Sequence, residues 1–176
     1  MSDTDQAEIA EQIRAFGGNL RRARRRAGLT QVQLSASAPL DRAAISRLEC
    51  GERAPDMPTL LRICAALSVA PAHLLRGVGP TSSSRRRPRH DERIAGDPAA
   101  LFGANLKWAR SGAGISQERL ALDAKVDRAA ISVYENGGRQ PNLRTVLKLA
   151  LKLEIRPDLL LRGIAWSADG NSDRAL

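Results

Sequence analysis

The side chains able to do chemistry are few in kind, and most are arginines. The 176 residues include two cysteines, Cys50 and Cys64, and two histidines, His73 and His90. Neither histidine has a partner at metal-ligand spacing, and two cysteines make neither a disulfide framework nor a metal cluster. Cys64 lies in an apolar helical run and reads as a small core residue. Cys50 lies near a helix end, His73 at the edge of a short helix and His90 in a charged stretch. Glu8 and Glu11 stand one helical turn apart on a face that solubility explains. No nucleophile–base arrangement and no phosphate loop is present. These residue types and spacings argue against an enzyme and imply no cofactor and no metal.

The remaining chemistry is that of positive charge. The chain holds 28 Lys+Arg against 19 Asp+Glu, a formal net charge of +9. Residues 16–78 carry ten basic and four acidic side chains, and residues 102–164 carry eleven and six. The first fifteen residues are net acidic. A basic body suits a polyanionic partner, although charge alone sets only solubility and non-specific attraction. Aromatics make up 3% of the chain: Phe16, Phe102, Trp108, Tyr134 and Trp166. Their scarcity favours helices over strands, and duplex over single-strand binding, which needs stacking platforms. No apolar run approaches the roughly 18 residues of a membrane span. The start, Met1-Ser2-Asp3-Thr4-Asp5, lacks an apolar signal core. A cytoplasmic protein with no membrane partner is the expectation.

An internal repeat organises these residues. Displaced by 86 residues, the segment from Phe16 to Val78 aligns without a gap on that from Phe102 to Ile164, and 29 of the first 62 aligned positions are identical. The longest match is Asp41-Arg42-Ala43-Ala44-Ile45-Ser46 against Asp127-Arg128-Ala129-Ala130-Ile131-Ser132. Two copies without a stacking period mean a domain duplication. Between them, Gly79-Pro80-Thr81-Ser82-Ser83-Ser84 and Arg85-Arg86-Arg87-Pro88-Arg89 cannot bury a core. The expected layout is a first domain over 6–78, a flexible basic linker over 79–97, a second domain over 98–165 and a polar tail over 166–176. The acidic start, Asp3 to Arg14, is expected to extend the first helix.

Each copy reads as five short helices. Phe16, Leu20, Ala23 and Ala27 recur at helical spacing, and Gly28 is a natural stop. Thr30 can cap a second helix, from Gln31 to about Ser37. Pro39-Leu40 forms the turn. Asp41 caps a third helix, which carries Ile45 and Leu48 inward and ends at Gly51. Asp56 caps a fourth, with Pro58 in its first turn, burying Leu60, Leu61, Cys64 and Leu67. A fifth begins near Pro71 and buries Leu74. Gly114, Ser116, Asp127, Gly137, Asn142 and Pro157 repeat these signals. The fold class is all-α, two tandem five-helix domains, each near 60 residues and able to hold one small core.

Gly28-Leu29-Thr30-Gln31, Leu34, Ile45 and Glu49-Cys50-Gly51 stand at spacings that resemble the Cro/repressor-like (XRE) helix-turn-helix family. Gly114-Ile115-Ser116-Gln117, Leu120, Ile131 and Glu135-Asn136-Gly137 match it too. The resemblance covers both repeats and implies the lambda-repressor-like fold, with the third helix of each domain in the DNA major groove. By position it implies that Arg42, Ala43, Ala44, Ser46 and Arg47 face base edges, and in the second copy Arg128, Ala129, Ala130, Ser132 and Val133. An arginine can bond guanine O6 and N7 together, and alanine can touch a thymine methyl. A phosphate contact or a solvated side chain is the plainer role for either arginine. Gln31 and Gln117 are implied to approach the phosphate backbone, as are Arg53 and Arg139 after the third helix; ordinary exposed side chains are the alternative. The resemblance pairs Arg24 with Glu49 and Arg110 with Glu135, a structural role that pins the reading helix.

The copies diverge where reading should diverge. Arg47 becomes Val133, which predicts two related but unequal half-sites. The first helix of copy one has Arg21, Arg22, Arg24, Arg25 and Arg26; copy two has Lys107 and Arg110, with Trp108 opposite Arg22. The arginine run is a solvated face or a source of phosphate contacts, and Trp108 caps a core edge or marks a protein contact. The linker arginines are solvated, lie along phosphates or in a minor groove, or mark a hinge.

The function expected is a sequence-specific double-stranded DNA-binding transcriptional regulator, a repressor by occlusion, associated with the nucleoid. Half-sites one turn apart are about 34 Å between centres, and a flexible linker near 20 residues spans roughly 25 Å r.m.s. and more when extended. The two heads therefore act as an intramolecular pseudo-dimer, or chains pair as a homodimer. The alternative is an antitoxin-like module that masks a toxin or other protein partner and also binds DNA. Only the acidic start and the short tail are then spare for that partner.

Overall fold

The computed structural model describes residues 2–79 and 97–164, and the expectations for the linker arginines and the polar tail lie outside the described residues. The described residues form ten helices: α1 Asp3–Arg26, α2 Gln31–Ser37, α3 Arg42–Glu49, α4 Met57–Ala66, α5 Pro71–Leu74, α6 Pro98–Gly112, α7 Gln117–Ala124, α8 Arg128–Glu135, α9 Leu143–Lys152 and α10 Pro157–Leu160. No strand occurs among the described residues. The fold is all-α, with the five-helix plan used twice. None of the described helices is long and apolar enough to cross a membrane.

Every described helix except the one-turn α5 and α10 starts on a short polar residue that caps it. Thr30 and Gln33 form a reciprocal capping box on α2, and Asp41 accepts from the Ala43 N–H at the start of α3. Asp56, Ser116, Asp127 and Asn142 do the same for α4, α7, α8 and α9. Such caps satisfy amides that have no helical partner. Helices α3 and α8 end at Gly51 and Gly137, with φ of 72° and 70°. Both glycines are also crowded: a Cβ on Gly51 would lie 2.6 Å from Arg14 Cα, and one on Gly137 would lie 2.9 Å from Ala100 Cα.

In the first domain Phe16, Leu20, Leu34, Ile45, Leu60, Ile63 and Leu74 are fully buried, and in the second Phe102, Leu106, Leu120, Ile131, Val146, Leu149 and Leu160. Tyr134 meets Phe102 edge to face, with ring centroids 6.1 Å apart, a geometry that aromatic pairs prefer. Burial pushes the Cys64 thiol up to about 12, which leaves it a neutral core residue. Trp108 is half-buried against this core.

The copies differ most at their starts. α1 begins at Asp3, where Ser2 and Asp5 form a capping box, and runs 24 residues; α6 runs 15. The acidic start is not spare, as a free partner-binding segment would have to be. Ile9, Gln12 and Ile13 are buried in it, α1 packs on α9 of the second domain, and Lys152 Nζ donates to Asp5 Oδ1 at 2.7 Å. Glu8 is half-buried rather than freely solvated, and accepts from Gln12 Nε2 at 3.1 Å.

Candidate nucleic-acid interface

Helix α3 is fixed from behind by one buried acid. Arg24 of α1 donates from Nε to Glu49 Oε1 at 2.5 Å and from Nη2 to Oε2 at 3.0 Å. Its Nη1 reaches the Leu29 carbonyl at 2.7 Å. Gln31 adds Nε2 to Glu49 Oε2 at 3.0 Å. Thus α1, the start of α2 and the end of α3 converge on one carboxylate whose side chain is 1% exposed. Burial alone would raise the Glu49 carboxyl; the Arg24 guanidinium and the Gln31 amide overcome it and hold the group below the usual carboxylate range.

The second domain repeats the cluster atom for atom. Arg110 donates to Glu135 at 2.6 and 3.0 Å and to the Ile115 carbonyl at 2.8 Å, and Gln117 Nε2 reaches Glu135 at 2.7 Å. Gln31 and Gln117, expected beside phosphates, thus spend amide protons inside the protein.

Two further matched residues were not singled out from the sequence. Gly17 sits where α1 crosses α3, and a Cβ there would lie 2.6 Å from the Leu48 carbonyl oxygen and 2.7 Å from that of Glu49. Gly103 meets Tyr134 and Glu135 in the same way. Asn19 donates to the Leu74 and Arg76 carbonyls at 2.8 and 3.0 Å, tying α1 to the end of α5. Asn105 does so to Leu160 and Arg162 at 3.1 and 2.9 Å. Identity between the copies was the available signal: a glycine inside a helix is disfavoured unless something approaches closely.

With its inner face pinned, α3 turns Arg42, Ala43 and Arg47 to solvent, while Ala44 and Ser46 are half-buried and Ile45 is buried. On α8, Arg128, Ala129 and Val133 are exposed, Ala130 and Ser132 half-buried and Ile131 buried. Arg53 and Arg139, after α3 and α8, are exposed. The helix-one arginines divide: Arg24 is buried, Arg22 donates to Asn19 Oδ1, and Arg21, Arg25 and Arg26 are exposed.

The two outward faces differ in charge. Arg128 Nη2 lies 2.7 Å from Glu118 Oε1 of α7, and Arg119 Nε lies 2.8 Å from Asp123 Oδ2. The first copy has Val32, Gln33 and Ser37 at the positions of Glu118, Arg119 and Asp123. Its Arg42 therefore lacks the carboxylate that Arg128 holds. The Glu118 carboxyl lies below its usual value, held by its own backbone N–H, by Ser116 and by Arg128. Val133 is 41% exposed, and a Cβ on Gly138 would come 3.2 Å from its Cγ1. The first copy has Arg47 and Glu52 at these two places.

Comparison with known proteins finds the same type of domain twice. Residues 15–76 match a helix-turn-helix domain family, and residues 103–165 match a second family of the same description. The SPbeta prophage-derived uncharacterized HTH-type transcriptional regulator YonR of Bacillus subtilis (strain 168) is 38% identical over 63 residues, 36% of this chain and 58% of that protein. The uncharacterized HTH-type transcriptional regulator YqaE of the same organism is 32% identical over 63 residues, 36% of this chain and 54% of that protein. The matched segment thus spans little more than half the length of either relative. The restriction-modification controller protein C.AhdI from Aeromonas hydrophila is 39% identical, over 35% of this chain and 94% of that one, with a TM-score of 0.35. The duplicated sequence, the five-helix plan and the two family matches lead to one assignment: the chain belongs among the helix-turn-helix proteins and carries two copies of the domain in tandem.

Proposed function

We propose that this chain is a sequence-specific regulator that binds double-stranded DNA through α3 and α8, reads two related but unequal half-sites, and represses by occluding promoter DNA. The observation that carries the reading is the pinned reading helix. Glu49 and Glu135 anchor the inner faces of α3 and α8, and the outer faces offer arginine and alanine at identical places. Arginine can read guanine bidentately, and alanine lets the helix approach closely. Arg53, Arg139 and the exposed helix-one arginines supply phosphate contacts. The naming of YonR and YqaE as transcriptional regulators supports the same reading. A cytoplasmic, nucleoid-associated location goes with it. The antitoxin-like alternative is less favoured, because one of its two candidate partner segments, Asp3 to Arg14, packs on α9; the other, the tail over 166–176, lies outside the described residues.

Footprinting on genomic fragments tests the proposal: protection indifferent to sequence sinks it. At a selected site, Arg42→Ala is expected to cost about 1–3 kcal/mol and to relax the preference at one base step. A loss that is uniform across all base changes assigns Arg42 to a phosphate instead.

The pairing of Arg128 predicts a second result. Glu118 places a carboxylate on the face that must approach phosphates. Glu118→Val, which installs the residue found in the first copy, is expected to tighten binding. It should also steepen the fall of log K with log salt by about one unit, as for one added phosphate contact. Weaker binding would mean that Glu118 instead steadies Arg128 against its base. Filter binding across a salt series reads both quantities.

A further inference from the structure

One contact between the two domains joins equivalent parts. α5 of the first domain packs on α10 of the second, and these helices are counterparts in the repeat, Pro71 with Pro157 and Leu74 with Leu160. A contact between the same element of two copies is what a two-fold arrangement produces. Around it, the Leu143 N–H at the start of α9 donates to the Pro55 carbonyl at 3.0 Å. Gly79 lies so close to α10 that a Cβ there would be 2.9 Å from Pro157 Cδ. The buried apolar side chains of both domains form one continuous cluster.

One element of this junction has no counterpart. Asp5, Ile9, Gln12 and Phe16 recur at intervals of three and four with Ile13 beside them, so they line one stripe of α1. Ile9, Ile13 and Phe16 are buried, at 0%, 1% and 0% exposure. Gln12, Ile13 and Phe16 stand in the part of α1 whose positions α6 repeats from Pro98 onward; the turns before them, which carry Asp5 and Ile9, have no counterpart. At the head of the stripe Asp5 meets Lys152, whose equivalent in the first copy is Ala66. The Lys152 ammonium and the Ser2 backbone N–H draw the Asp5 carboxyl down to about 2.

We infer that the first half of α1 is a clasp that locks the two domains into one unit, an internal counterpart of a two-fold dimer, so that a single chain presents α3 and α8 at a fixed separation and occupies a bipartite DNA site alone. The inference deepens the DNA-binding reading and rests on it for the site that is occupied. The clasp has its own observations in the α1–α9 and α5–α10 contacts. A fixed separation makes the second head's contact intramolecular, and affinity then depends on half-site spacing. It also consumes the surfaces through which a second chain would pair.

The test uses the full chain and a DNA site recovered by selection. Native mass spectrometry is expected to show one chain per site. A five-base-pair insertion between the half-sites, which turns them to opposite faces of the duplex, is expected to weaken binding about a hundredfold. Asp5→Lys should lose most of that spacing dependence, and Asp5→Lys with Lys152→Asp should recover it. Two chains per site, indifference of the unaltered chain to the insertion, or an Asp5→Lys variant that keeps full spacing dependence each overturns the inference. Small-angle scattering on the free chain tests the clasp without DNA: a single compact pair-distance peak supports it and a two-lobed profile overturns it. Should the chain select no specific site, the DNA-binding reading fails while scattering still decides the clasp.

Discussion

Arg24→Met is expected to destabilise the first domain by about 3–5 kcal/mol, the cost of leaving a buried charge without its partner. Both side chains of the Arg24–Glu49 pair are almost wholly enclosed, at 10% and 1% exposure. Removing the guanidinium leaves Glu49 with the Gln31 amide at 3.0 Å and with Arg21 Nε at 3.9 Å. Burial then dominates and drives the carboxyl upward. The pH dependence should change sign. In the unaltered chain Glu49 is held below its ordinary value of 4.5. Its contribution to stability is therefore present above that value and lost as pH falls through the lower, folded value. In the variant the folded value lies above the unfolded one. Stability then falls as pH rises past 4.5, so the gap between variant and unaltered chain widens from pH 4 to pH 7. Urea melts of the full chain at the two pH values measure this. Arg24→Met with Glu49→Met should recover much of the loss, since an apolar pair in place of a buried ion pair is often neutral. Strictly additive losses would show that the two residues do not act as a pair.

Gly17→Ala is the second large effect. The new methyl would stand 2.6 and 2.7 Å from two backbone carbonyl oxygens of α3. Neither oxygen can swing aside as a side chain could, so α3 must shift or α1 must tilt. A cost of about 1–3 kcal/mol is expected from overpacking alone. Affinity at the first half-site should fall further than stability does, because the displaced element is the reading helix and phosphate contacts set its register. Gly18→Ala is the control. Nothing but Arg22 Nη1, at 3.8 Å, is near a Cβ there, and the second copy already has Ala104 at that position. It should stabilise α1 by roughly 0.5–1 kcal/mol. Thermal melts with DNA titrations separate the two glycines, and equal effects would refute the close crossing.

The comparison of these neighbouring glycines shows what a sequence conveys and what it hides. Helix starts were legible because caps are local: Thr30, Asp41, Asp56, Ser116, Asp127 and Asn142 act within three residues of themselves. The core stripes were legible because helical period places Leu20, Leu34 and Ile45 on inner faces. Gly17 was not, because its reason lies about thirty residues away, in carbonyls that only the packed chain brings near. Asn19 was hidden likewise, its partners being 55 and 57 residues distant. The tie from Gln31 to Glu49 was hidden for a different reason. Helix position puts the Gln31 backbone at an outer corner, yet the side chain turns back to the buried acid of α3. The Glu118–Arg128 pair was hidden because the two residues belong to different helices and the first copy, with Val32, gives no hint of it.

The α5–α10 junction has a consequence for dose. Two separate chains must meet before they can share an operator, so occupancy would climb with roughly the square of their concentration at low abundance and fall off sharply on dilution. A junction made inside one polypeptide has no such threshold. Occupancy should then follow a simple hyperbola down to the lowest copy numbers, and a few molecules left after cell division would still hold the site in proportion to their number. Nor could a related chain in the same cell dilute the pair by exchanging partners with it.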